Sequence, residues 1–111
     1  MSEVAQTEGA GMRDGLLGKA KTALRLTSDA FDDEVDGLCR AARHDLMLSG
    51  VIEGKAKSDT DPLVVEAVMT YCKARFGLDN PDSDKYWQSY LACERDMLNS
   101  QEYTAEGAKG L

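Results

Sequence analysis

Seventeen residues, "DPLVVEAVMTYCKARFG" at positions 61–77, leave this chain few architectures. Asp61 is placed to accept from unpaired backbone N–H groups, Pro62 suits the first helical position, and Gly77 suits the stop. Within those bounds Val64, Ala67, Val68 and Tyr71 fall on one side of a helix, and Val65, Met69, Cys72 and Phe76 fall beside them. A helix apolar over that much of its circumference has to be central, touching several neighbours or another subunit. The β-branched Val64, Val65 and Val68 would also suit a strand, but the Asp-Pro start and glycine stop favour helix.

The flanking segments supply the neighbours. Residues 13–25 show a helical period in Leu16, Leu17, Ala20, Ala23 and Leu24, interrupted by Gly15 and Gly18. "LTSDAFDDEVDG" reads as a helix start, with Thr27 or Ser28 as cap and Asp29, Asp32, Asp33 and Glu34 at the positive end of the dipole. Phe31, Val35, Leu38, Cys39, Ala42 and Leu46 then form one stripe, closed by a left-handed Gly50 with Val51 and Ile52 folding back. "EGKAKSDTD" reads as a polar connector. After the 61–76 helix, "LDNPD" is a tight turn, Asp82 or Ser83 caps a last helix, and Trp87, Tyr90, Leu91, Met97 and Leu98 mark its buried face. Beyond Asn99 the period is lost. The expectation is an all-α bundle of about four helices: a flexible arm over 1–11, a helical domain over 12–98 and a tail over 99–111.

Chain length allows one domain, 111 residues with 42% hydrophobic and 30% charged side chains. Twenty acids against 13 bases give a net charge of −7, which argues against a general electrostatic grip on nucleic acid. Residues 26–61 alone hold nine acids and four bases. The N-terminus lacks the charged and apolar regions of a signal peptide, and no apolar run approaches the ~20 residues of a membrane span, so a soluble protein made in a cytoplasm is expected.

Chemistry has little to work with. His44 is the only histidine, faces away from its helix's stripe, and reads as a solvated surface residue. Cys39, Cys72 and Cys93 have no CxxC spacing; an odd count fits a reducing compartment, and stripe positions read as inert small hydrophobes. The 29–36 acids lack the alternation and central glycine of a calcium loop. No phosphate-binding glycine motif occurs and no Ser-His-Asp set assembles, so no catalytic, metal or cofactor residue is assigned.

Two features point to assembly. Arg75 projects close to the line of Val64, Val68 and Tyr71, and Glu94 close to the line of Trp87, Tyr90, Leu91 and Leu98. Charges within apolar stripes seek partners, so the two are expected to meet between helices or across a subunit contact. Met47, Leu48, Met69 and Tyr86 are surplus apolar surface suited to contacts between copies.

The order "LRLTSDAFDDEVDGLCRAARHDLMLSGV", polar connector, "DPLVVEAVMTYCKARFGLDNPDSDKYWQSYLACERDML" resembles the small head–tail connector proteins of long-tailed bacteriophages and prophages over residues 16–103. The resemblance rests on "FDDE" opening a helix, the "AAR…L…G" close, the "DP" start, the "Y…FG" end and an aromatic-rich last helix. It implies a non-enzymatic head-completion adaptor in the virion neck, assembled in the host cytoplasm. Its partners would be further copies in a ring, generally twelve-fold, the portal protein, a downstream stopper or tail terminator, and DNA sliding through the lumen without sequence-specific binding. It also implies a portal-docking tail, here Gln101, Glu102, Tyr103 and Thr104, with Tyr103 as an exposed aromatic anchor. The alternative is a small helical regulator binding a protein or nucleic acid, which the acidic later helices disfavour.

Overall fold

The computed structural model describes residues 12–105, and the arm expected over 1–11 lies outside the described residues. Five α-helices follow one another within them: α1 Leu17–Ala23, α2 Asp32–Ser49, α3 Glu53–Ala56, α4 Pro62–Arg75 and α5 Ser83–Leu98, then a 3-10 turn at Gln101–Tyr103. α4 is the central helix, packed by α1, α2 and α5. Its Val64, Ala67, Val68 and Cys72 are fully buried and join Val35, Cys39, Ala42 and Leu46 of α2 in one core with Leu16, Ala20, Tyr90 and Met97. The all-helical expectation and the centrality of 61–77 both hold.

α2 runs antiparallel to α4: the Glu34 carboxylate accepts from the Gly77 N–H at 3.4 Å, and Cys39 Sγ lies 3.8 Å from Cys72 Sγ further along. α4 and α5 form an antiparallel hairpin. Its turn is tied by Asn80 Nδ2 donating to the Lys73 carbonyl at 2.7 Å and by Ser83 Oγ donating to the Ala74 carbonyl at 2.8 Å. Both bonds satisfy carbonyls that α4 leaves without helical partners.

Capping chemistry fixes the ends. Asp61 caps α4 as expected, accepting from the Val64 N–H at 3.1 Å. Gly50 takes φ 123°, and the Val51 N–H reaches the Leu46 carbonyl at 2.9 Å, burying Val51. α1 ends in the same motif on Arg25, at φ 62°, with the Leu26 N–H bonded to the Lys21 carbonyl at 2.9 Å. A non-glycine residue held there is strained by about 1 kcal/mol. Arg25→Gly is therefore expected to raise stability by roughly 0.5–1 kcal/mol in chemical denaturation.

Three boundaries differ from expectation. α1 is shorter, because Asp14 folds its carboxylate onto the Leu16 N–H at 2.8 Å and opens the helix late. α2 starts at Asp32, because Ser28 Oγ is used in a local turn with the Ala30 N–H at 2.9 Å, while Asp29 and Asp32 are drawn 2.7 and 2.8 Å from Lys21 of α1. The connector after Ile52 contains α3, whose Ala56 is fully buried.

Candidate functional site

Arg43 gathers the N-terminal side of the fold onto α2. It lies at the edge of the α2 stripe and is 8% exposed. Its Nε and Nη2 donate to the two oxygens of Asp14 at 2.8 and 2.9 Å, a bidentate pair. Nη1 donates to the carbonyls of Ala56 and Ser58 at 3.1 and 2.7 Å, and Nη2 also meets Asp59. Alongside it, Arg40 pairs with Asp36 at 2.8 Å and reaches the Met12 carbonyl, and the Asp36 carboxylate accepts from the Asp14 N–H at 2.6 Å. A Cβ at Gly15 would meet the Asp59 carboxylate, so a larger residue there would push Asp59 away from Arg43. A groove of about 370 Å³ opens over this cluster, lined by Arg40, His44, Met47 and Lys57.

Burial acts to raise the Asp14 carboxyl, but the Arg43 hydrogen bonds and the Leu16 N–H outweigh it and hold the group below its ordinary 3.8. A carboxyl depressed in the folded chain adds stability above its unfolded value and loses it as pH falls through the folded one. Stability is therefore expected to drop as pH falls below about 3.8, and Asp14→Asn to be weaker at pH 7 but flatter across that window. Denaturant midpoints at stepped pH measure both.

The 3-10 turn is held by a second cluster. Tyr103, 6% exposed, donates its hydroxyl to Asp61 at 2.9 Å, its carbonyl accepts from the Ile52 N–H at 2.9 Å, and Thr104 forms an antiparallel bridge with Val51. Lys55 lies over the Tyr103 ring at 5.0 Å and pairs with Glu102 at 3.0 Å. Burial and then Asp61 push the Tyr103 hydroxyl up to about 12, so it stays a donor. The premise that Tyr103 is an exposed anchor is therefore corrected: the side chain covers the start of α4 in its own chain. Gln101 and Glu102 are exposed and Thr104 is half-buried.

Arg75 and Glu94 do not meet within the chain. The α4–α5 hairpin sets Arg75 beside the turn and Glu94 about three helical turns away from it. Arg75 instead stacks its guanidinium over Trp87 at 4.5 Å and Tyr71 at 5.4 Å, a cation–π arrangement that leaves it exposed. Glu94 is 9% exposed, in a cluster with Tyr90 and Asp45. Of the apolar candidates, Leu48 is 74% exposed, while Met47, Met69 and Tyr86 are half-buried. Tyr86 shares a groove of about 320 Å³ with Leu24, Lys73 and Phe76. Leu78 and Met12, 105% and 70% exposed, add apolar surface that the stripes did not mark.

Chemical reactivity is low at the thiols. The contact with Cys72, then burial, pushes the Cys39 thiol far up, and burial pushes Cys93 up to about 11. Among the described residues no group of three or more His, Cys, Asp or Glu is arranged to hold a metal, and no helix is long and apolar enough to cross a membrane. His44 is exposed, as expected.

Residues 16–104 match the family described as Phage connector protein, spanning α1 to the Thr104 bridge. Neither a curated protein nor a solved structure gives a significant match.

Proposed function

This chain belongs to the phage connector protein family, and on that premise we propose that it is the head–tail adaptor of a long-tailed phage or prophage. Membership carries a structural, connector-type role in the virion. The finer reading is ours: copies form a ring, twelve-fold by analogy with the family, beneath the portal, extend the DNA channel and offer a platform to the next neck or tail protein. The family match carries this reading, because it covers the central helix, Arg43 and the whole Tyr103 cluster.

Surface chemistry supports it. Leu48, Leu78 and Met12 are large apolar side chains left in water by the folded chain, and a contact between copies removes them from it. Met47, Met69 and Tyr86 would extend that contact. Arg75, presented on an aromatic stack with no carboxylate partner among the described residues, is offered to a carboxylate on a neighbouring copy. An acidic lumen repels phosphate, so genomic DNA slides rather than sticks. In this scheme the 99–111 tail docks on the portal, with Tyr103 held against its own chain.

Disrupting the gene in the phage or prophage that carries it tests the role. DNA-filled heads without attached tails are expected; normal tailed virions lacking this chain would overturn the reading.

A further inference from the structure

Tyr90 of α5 is fully buried, and its hydroxyl faces one carboxylate from α2 and one from α5. Tyr90 Oη lies 2.5 Å from Asp45 Oδ2 and 3.4 Å from Glu94 Oε2. A phenol has one proton to donate. The short contact with Asp45 takes most of it, so Glu94 keeps only a long contact with Tyr90 at 3.4 Å and the Ser49 hydroxyl in its favour, against burial and the charge of Asp45. No cation compensates: from α4 the facing group is the Tyr71 ring, 5.1 Å from that of Tyr90, and Arg75 is stacked on Tyr71 and Trp87 instead. On α2 the facing groups are Asp45 and Ser49; on α5 they are Tyr90 and Glu94 themselves. Among the described residues every ion pair lies elsewhere.

Two carboxylates converge on the one Tyr90 proton, and the buried one, Glu94, is left with the weaker share. We propose that Glu94 binds that proton and donates it to the Asp45–Tyr90 pair, making the α2–α5 junction a proton-operated joint. Protonated, Glu94 closes a chain of hydrogen bonds between the two helices. Ionised, it sets two like charges between α2 and α5, one on Asp45 and one on Glu94. Burial pushes the Glu94 carboxyl up, Ser49 opposes the shift, and the Asp45 charge adds to it. A carboxyl raised in the folded chain binds its proton more tightly there than when unfolded. The joint's contribution is therefore complete below the ordinary value of 4.5 and lost as pH rises through the folded value.

Carboxyl-carbon NMR of the full chain, with Glu94→Gln as assignment control, reads the proton directly. The Glu94 resonance is expected to titrate above 4.5, and Asp45→Asn to move its midpoint down. Gln at 94 keeps a donor toward Asp45 without the charge. The melting temperature of Glu94→Gln minus that of the wild type is thus expected to grow as pH is raised from 4.5 and then to level off. A Glu94 midpoint at or below 4.5, or a melting difference independent of pH, would overturn the proposal.

Discussion

Replacing Arg43 with alanine is expected to remove about 3–5 kcal/mol of folding stability, the range for breaking a buried ion pair by deleting one partner. The size follows from what is left behind. Asp14, with its side chain 6% exposed, would keep a buried charge without its hydrogen-bonded partner, with only the charge of Arg40 in its favour, and the Ala56 and Ser58 carbonyls would lose their donor. A domain of this size is stable by roughly 5–15 kcal/mol, so the change consumes a large part of the total. Arg43→Lys should fall between, since an ammonium cannot serve Asp14 bidentately and two carbonyls at once. Arg40→Ala is the contrast: its side chain is half-exposed and pairs with Asp36 along one helix face, a contact worth about 0.3–0.5 kcal/mol. Urea unfolding of the three variants measures the series, and an Arg43→Ala loss below about 1 kcal/mol would show that the cluster does not hold the fold.

Tyr103→Ala is expected to cost about 3 kcal/mol, toward the lower end for truncating a buried aromatic. It removes the ring from under Lys55 and the hydroxyl from Asp61. The distinguishing result is local. The Ile52 N–H, bonded to the Tyr103 carbonyl at 2.9 Å, should lose hydrogen-exchange protection, while amides in the middle of α4 change only with global stability. Tyr103→Phe keeps the ring and should retain most of that protection. Equal loss of protection across the chain in Tyr103→Ala would mean that the 3-10 turn is not a separate clip.

The parts of this fold that could be read in advance are those written by local chemistry. The α2 stripe needs only the 3.6-residue period, and α4 needs only Asp61, Pro62 and its many apolar positions. Signals that cross the chain were not visible. Arg43 finds Asp14 from 29 residues away, and nothing in the period of α2 distinguishes it from a solvated arginine beside the stripe. α3 is four residues long, too short to leave a periodic trace, and only the buried Ala56 betrays it. Polar neighbours make Tyr103 look exposed in the sequence; its partner Asp61 is also the cap of α4, and one carboxylate serves both. The Arg75–Glu94 pair was excludable within one chain from the hairpin itself. A tight turn at 77–82 places Arg75 opposite the start of α5, not its later turns. Stripe membership gives a direction around the helix but not a height along it.

Native mass spectrometry of the full chain, alone and mixed with the portal protein of the phage or prophage that carries it, reads the assembly. A discrete closed oligomer bound to the portal is expected, with weakened assembly in Leu48→Asp and Arg75→Glu variants that still melt as the wild type does. A chain that stays monomeric with the portal present, at concentrations where both are folded, would contradict it.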